Sequence, residues 1–410
     1  MAGTKTIVVV AVAVVNQAAA KAVDLVHNFS ENLKSLEDVG AVYLLLGTAC
    51  NMSCRHCVQT PIKGCLNLSP HGKELSQEVK DFIVKWSNLP WKYTENNPRR
   101  LYFWGGEPLL YWETIKKLVL EFKKIGVKNV SYRIFSNGLL LNDEIVNFCN
   151  EHDIWFIMSY DAPNARAARN VVPGKEACKK FLRIRKRTVN TVFNAINDNM
   201  VEAFEWLKYT FPGTEITCGF MNVLSENTPL DLYKFKINAV EKAVKNLWLI
   251  ANSDSEIAPY IRHWFNSKIL RVRDFDKEEF YKYPYPPCRP AVVSLSVNFN
   301  GEIMLCHNTD KIVGHITDDF EKLQEKHRKF FEELLPIKCK TCEHLDICRC
   351  ICPIGVKKDG ELCYCDYLRE FWGAIKECYE PLRLKCRASG KYKIIVNNNG
   401  EFELEEVAGK

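Results

Sequence analysis

Between Val42 and Phe220 the chain alternates short apolar runs with amphipathic ones, and this alternation restricts the fold more than any other feature. The runs Val42–Leu46, Arg100–Trp104, Val130–Phe135, Trp155–Met158, Val189–Ala195 and Glu215–Phe220 are of strand length and rich in β-branched and aromatic residues. Between them the spacing predicts helices over Ser76–Ser87, Trp112–Ile125, Asp143–His152, Lys175–Lys186 and Val201–Thr210. Ser76 is a cap for the first, with Val79, Phe82, Ile83 and Trp86 on one face, and Gly126 closes the second. Strand–helix alternation of this length means a parallel sheet with crossover helices, and six strands suit an open, partial (β/α)6 barrel. The active sites of such barrels lie at the carboxyl ends of the strands. Every polar or glycine-rich segment in this stretch sits at such an end, so one site is expected there.

The first strand runs directly into Cys50-Asn-Met-Ser-Cys54-Arg-His-Cys57, three thiols in eight residues. Such a loop can wrap its thiolates around one side of a cubane iron–sulfur cluster. Four thiols would close a tetrahedral site, whereas three leave one iron without a protein ligand, free to bind and reduce a small molecule. A zinc knuckle or a redox pair is the alternative, but zinc sites usually take two CxxC-like pairs and only Cys54 and Cys57 make one. The later strands end in Gly105-Gly106-Glu107-Pro108, Ser136-Asn137-Gly138 and Ser159-Tyr160-Asp161. The two glycines allow backbone to approach a ligand closely, and Glu107 can hold an ammonium. Ser136 and Asn137 offer short polar side chains or simply form a turn. Arg166 and Arg169, downstream, are cations able to pair with a carboxylate.

The chain has 18 cysteines, eleven of them between Cys288 and Cys386. In a secreted protein these would be disulfides. An exposed cluster loop belongs instead in a reducing compartment, and clustered CxxC spacings there point to metal. A helical stretch over 226–287, strongest at Asp231–Ala251, ends in the breaker-rich Pro284–Pro287. Cys288, strand-like Val292–Val297, a turn at Asn298–Gly301 and a returning strand to Cys306 read as a hairpin with a thiol at each end. Cys339, Cys342, Cys348 and Cys352 follow, then Cys363 and Cys365. Zinc is the alternative metal for these pairs. The tail carries a second hairpin, Tyr392–Val396 to Phe402–Glu406, turning at Asn399-Gly400.

At the start of the chain, Ile7–Val15 reads as a strand and Ala18–Leu36 as a helix. The Val-rich run after Lys5 has some likeness to an export signal, yet it is too short to span a membrane and its valines favour a strand. A soluble, cytoplasmic protein without a membrane partner is expected. The composition, 47% apolar and 26% charged, is that of an ordinary globular chain. A net charge of +6 permits an anionic partner and leaves nucleic acid open without demanding it. The expected organisation is an N-terminal strand and helix (1–38), the barrel (39–225), a helical bridge (226–287), a cysteine-rich domain (288–378) and a tail (379–410).

Taken together, Cys50-x3-Cys54-x2-Cys57, Gly105–Pro108 and the Ser159-x-Asp161 segment resemble the radical S-adenosylmethionine (radical SAM) superfamily. His56 stands where that family often has an aromatic residue. The resemblance implies a partial TIM-like barrel whose three cysteines hold a [4Fe–4S] cluster, with the open iron binding the amino and carboxylate groups of SAM. Reductive cleavage then yields a 5′-deoxyadenosyl radical that abstracts a hydrogen atom from substrate. By the same resemblance Gly105, Gly106, Glu107 and Pro108 meet the SAM amino group. Ser136 and Asn137 approach the ribose, Ser159 and Asp161 lie nearby, and Arg169 takes the carboxylate.

The second cysteine region resembles the SPASM extension of such enzymes, a C-terminal SPASM/twitch domain with two auxiliary clusters, which makes three [4Fe–4S] clusters in all. One auxiliary cluster would take Cys288, Cys306 and Cys352. The other would take Cys339, Cys342, Cys348 and Cys365; Cys350 and Cys363 are the substitutes for a fourth ligand of the first. Ser294 lies where some members supply a further ligand, which implies an open iron. In the sulfatase-maturing branch an Asp base follows the second SPASM cysteine. Here His307 follows Cys306, and histidine can act as a base near neutral pH. The implied substrate is a peptide or small protein, with a flavodoxin or ferredoxin as electron donor. A nucleoside or nucleic-acid base is the alternative substrate. A non-catalytic electron carrier is the alternative class, and the open three-thiol loop argues against it.

Overall fold

The computed structural model describes residues 35–60, 74–90, 98–273, 293–344, 348, 352, 354–389, 392–396 and 402–406. The expected strand Ile7–Val15 and helix Ala18–Leu36 lie outside these residues, except that Leu36 opens a 3-10 turn, Leu36–Asp38, capped by Ser35. Cys288, Cys350 and the Asn399-Gly400 turn also lie outside them.

Strands β1 (Ala41–Gly47), β2 (Arg99–Gly105), β3 (Val130–Ser136), β4 (Trp155–Ser159), β5 (Arg187–Phe193) and β6 (Glu215–Phe220) pair in parallel and in sequence order. The crossovers are helices α1 (Gln77–Asn88), α2 (Trp112–Lys124), α3 (Asp143–Glu151), α4 (Ala165–Arg169), α5 (Lys175–Leu182) and α6 (Met200–Thr210). Parallel strands buried on both faces read as nearly continuous apolar runs, as β1 and β4 do, whereas β3, β5 and β6 alternate. Val42, Leu44, Leu101, Phe103, Ile134 and Phe156 face the helices in the main core, where Val79, Ile83 and Trp86 of α1 meet them. The opposite face carries large aromatic residues: register places Tyr43, Tyr102, Arg133 and Trp155 in one row. Arg133 lies over the Trp155 and Tyr102 rings at 4.9 and 5.8 Å. The architecture is the expected partial barrel of α/β type.

Three local readings change. The predicted helix Lys175–Lys186 stops at Leu182, because β5 already begins at Arg187. That strand ends at Phe193 because the Asn194 side chain turns the chain, accepting the amides of Ile196 and Asn197 at 3.0 Å each. The segment from Asp231 holds only a 3-10 turn, Leu230–Leu232; Asn238, left-handed at φ 58°, delays helix α7 to Ala239–Ala251. Helix α8 follows at Ala258–Arg273.

The second cysteine region does not form a separate layer. Strands β7 (Ser294–Val297) and β8 (Glu302–Met304) make the expected hairpin, and β9 (Ile312–His315) adds a third strand. β7 pairs in parallel with β1, so the sheet continues as β6-β5-β4-β3-β2-β1-β7-β8-β9. Helix α9 (Phe320–Leu334) follows, then the short pair β10 (Lys357–Lys358) and β11 (Glu361–Leu362). One long helix, α10, runs from Cys365 to Ser389, across the position where sequence reasoning ends the cysteine-rich segment. The tail hairpin is β12 (Tyr392–Val396) against β13 (Phe402–Glu406). Among the described residues no helix is long and apolar enough to cross a membrane.

Candidate functional site

The carboxyl ends of the parallel strands converge on the cysteine loop. The turn after β2 lies flat against the loop's start: the Gly106 amide donates to the Gly47 carbonyl at 2.9 Å and the Glu107 amide to that of Ala49 at 2.8 Å. A Cβ on Gly105 would stand 2.3 Å from the Gly47 oxygen, and one on Gly106 would stand 2.2 Å from the Ala49 oxygen. Both glycines are therefore required by contact between this turn and the cysteine loop. The Tyr111 hydroxyl accepts from the Ala49 amide at 3.3 Å.

Glu107 is held by protein donors within the fold. Its side chain, 1% exposed, faces into the fold. One oxygen accepts from the Leu109 amide at 3.0 Å and the Ser136 hydroxyl at 2.8 Å, the other from the Asn137 amide at 2.8 Å. Burial pushes its pKa up, against the hydrogen bonds from Asn137, Leu109 and Ser136. The carboxylate thus joins the β2 and β3 turns and is spent on protein donors, which leaves the backbone of Gly105-Gly106 as the part of the motif facing the loop. Pro108 opens the 3-10 turn Pro108–Tyr111 and is buried.

The β3 turn touches the loop directly. Ser136 is buried, bonded to Glu107 and accepting from the Gly138 amide at 2.9 Å. The Asn137 side-chain amide donates to Asn51, inside the loop, at 2.7 Å. Asn51 carries no signal in the sequence that would have singled it out.

The β4 end supplies the charged part. Asp161 is fully buried, and Arg169 and His56 are nearly so. Arg169 donates to both Asp161 oxygens, at 2.6 and 3.2 Å, and its remaining nitrogen lies 4.0 Å from the Cys54 sulfur. The Val192 amide donates to Asp161 at 2.8 Å, and His56 Nε2 lies 3.2 Å from its other oxygen. Burial raises the Asp161 pKa, but Arg169, His56 and these hydrogen bonds outweigh it and hold the carboxyl below its usual range. His56 is pushed down to about 4, chiefly by burial. Asp161 is thus an anchor for Arg169, His56 and β5, and the loop residue in the family's aromatic position is tied to it. Ser159 ends β4 beside Asn190 of β5.

The three thiols form one electrostatic unit. Burial pushes Cys54 up to about 11, Arg169 works against this, and the neighbouring Cys57 and Cys50 add to the rise. All three are partly buried. Three thiols gathered on one loop fit a cluster whose binding displaces their protons.

The second set divides clearly. Cys339, Cys342, Cys348 and Cys365 line one cavity, together with His344 and Arg369. Cys363 does not line it; its thiol lies beside the Tyr233 hydroxyl instead. Four thiols on one cavity fit a fully ligated cluster and favour Cys365 as its last member. Cys352 is absent from this cavity, and burial pushes it up to about 11. Cys306 ends the β8 side of the hairpin, its sulfur 3.4 Å from the Asn308 amide.

His307 is partly buried. Its ring stacks on Tyr43 at 4.2 Å and meets Trp104 edge-on at 4.5 Å, and its carbonyl accepts from Trp104 Nε1 at 3.0 Å. It therefore joins the hairpin to the aromatic inner face of the barrel, beside the β2 end. Burial pushes its pKa down to about 4.

Residues 37–172 match a family model described as a 4Fe-4S single cluster domain. The chain is 23% identical over 345 residues to radical SAM cyclopropyl synthase TigE of Paramaledivibacter caminithermalis, covering 80% of this chain and 71% of the relative. In fold it is similar to native anSMEcpe with bound AdoMet (TM-score 0.56, 17% identity), covering 85% of this chain and 99% of that one. Streptococcus suis SuiB bound to its precursor peptide SuiA is similar at a TM-score of 0.52 and 13% identity, covering 77% and 72%.

Proposed function

We propose that this chain, a radical SAM enzyme with a C-terminal SPASM extension, modifies a side chain of a peptide or small protein by hydrogen abstraction. The observation that carries the reading is the convergence of the β2, β3 and β4 ends on one three-thiol loop. When bound, a reduced [4Fe–4S] cluster supplies the electron that splits SAM. Cys50, Cys54 and Cys57 would hold that cluster, and Arg169, fixed by Asp161, sets the charge beside Cys54. The amides of Gly106 and Glu107 and the Asn137 side chain hold the start of the loop, from Gly47 to Asn51, so that a ligand beside it meets a preformed surface. Cys339, Cys342, Cys348 and Cys365 would hold a second cluster, and Cys306 and Cys352, with Cys288, a third.

The peptide substrate is supported by two relatives of like fold that were solved with peptides, anSMEcpe with a Cp18Cys peptide and SuiB with SuiA. A flavodoxin or ferredoxin is the proposed electron donor. The test is anaerobic reconstitution followed by analysis of SAM products. The parent should hold about twelve irons per chain and release 5′-deoxyadenosine, and Cys54→Ala should release none. Cleavage by Cys54→Ala at the parent's rate would refute the role of the loop. Stoichiometric zinc beside about four irons would remove the two further clusters and leave the first.

A further inference from the structure

We propose that Asp231 is a positioning residue for the cysteine loop, acting through Arg55. Arg55 lies inside the loop, between Cys54 and Cys57. Its amide donates to the Ala168 carbonyl at 2.8 Å, and its guanidinium donates to Ala167 at 3.3 Å. One guanidinium nitrogen donates to both oxygens of Asp231, at 2.9 and 2.7 Å, across a sequence separation of 176 residues.

Asp231 is itself held firmly. It sits in the 3-10 turn Leu230–Leu232, and Leu232 is fully buried. The Leu232 carbonyl accepts from the Ala195 amide at 2.7 Å, just beyond β5. Further along the same segment the Glu370 carboxylate accepts the amides of Asn238 at 3.0 Å and Val240 at 3.2 Å, at the start of α7. Glu370 lies on α10, whose first residue, Cys365, lines the four-thiol cavity. One segment, 231–240, thus carries polar contacts to the first cysteine loop at its start and to the helix bearing part of the second thiol set at its end.

The magnitudes separate a positioning role from a stabilising one. Arg55 and Asp231 are 37% and 55% exposed, and an exposed pair contributes little to global stability. The loop has no helix or strand of its own over Cys50–Cys57, so its local opening depends on individual contacts such as this one.

The proposal rests on reading Cys50–Cys57 as a cluster loop, and the experiment separates the two. Full-length parent, Asp231→Asn and Asp231→Glu are compared by hydrogen exchange of residues 50–57 without cluster. After reconstitution they are compared by SAM calorimetry, each protein also giving a melting temperature. In Asp231→Asn the loop should exchange about fivefold faster and SAM should bind about fivefold more weakly. The melting temperature should shift by less than about 3 °C, and Asp231→Glu should recover most of the loss. Raising salt should weaken SAM binding more in the parent than in Asp231→Asn. Unchanged loop exchange in Asp231→Asn, or a loop effect matched by an equal fall in overall stability, overturns the proposal. A parent that assembles no cluster overturns the reading of the loop, and the exchange comparison still decides the role of Asp231.

Discussion

Arg169 grips Asp161 through two nitrogens, at 2.6 and 3.2 Å, and turns the third to within 4.0 Å of the Cys54 sulfur. The carboxylate is fully buried, so its charge depends on this partner. Removing one member of a buried ion pair costs about 3–5 kcal/mol. Arg169→Met should lose stability on that scale in urea unfolding of the cluster-free protein. Arg169→Lys should recover only part of it, because an ammonium cannot reproduce the two-pronged contact.

Glu107→Gln keeps the shape of the side chain but places an amide where three protein donors converge. At least one buried donor is then left without an acceptor, at about 1–3 kcal/mol. We expect a lower melting temperature together with weaker SAM binding by calorimetry, since the β2 and β3 turns both brace the cysteine loop. Stability and affinity equal to the parent's would count against the bracing role.

Gly106→Ala places a methyl 2.2 Å from the Ala49 carbonyl oxygen, and the β2 turn and the start of the cysteine loop must move apart to relieve it. Reconstituted protein should lose about four irons and its SAM cleavage while keeping the remainder. Gly174→Ala, where an added Cβ meets nothing within 4 Å, should retain the full iron content.

His327 of α9 is 2% exposed, and burial pushes it down to about 4. A histidine depressed in the folded state takes its proton more readily when unfolded. Its contribution is complete above pH 6.5 and is lost as pH falls toward 4. At about 1.4 kcal/mol per pH unit, roughly 2 kcal/mol should disappear between pH 6.5 and pH 5. His56 and His307 are depressed likewise, so urea unfolding of the cluster-free parent across this range should show at least this loss, and His327→Met should remove roughly 2 kcal/mol of it and leave the rest.

By the sequence resemblance His307 stands where sulfatase-maturing enzymes carry an Asp base, and its ring is packed on Tyr43 and edge-on to Trp104, so it differs from an Asp in both reach and charge. Reduced enzyme with SAM and a peptide carrying a sulfatase-type Cys motif should show no mass loss matching formylglycine formation. Such a mass loss would overturn the distinction.

Much of this protein is legible in one dimension because its information is local. A strand's apolar run, a Ser76 cap or a Gly126 stop acts within a few residues, so the order of β1 to β6 and the tail hairpin register follow from the chain itself. The three-thiol loop and the CxxC pairs are also local, and they expose the metal chemistry directly. Other features depend on residues meeting across long separations, and no spacing rule reaches them. Gly105 and Gly106 look like ligand-approach glycines, but tertiary packing requires them for contact with residues 47–49. Glu107 reads as a ligand for an ammonium, yet the fold places three protein donors around it. The choice of Cys365 over Cys363 depends on which thiol turns into a shared cavity, since the two lie within one turn of each other in the chain. The pairing of β7 with β1, and the contact of Asp231 with Arg55, were likewise decided by tertiary structure alone. Sheet edges and exposed charges select partners by geometry, and the residues that carry them have no distinguishing pattern in the sequence.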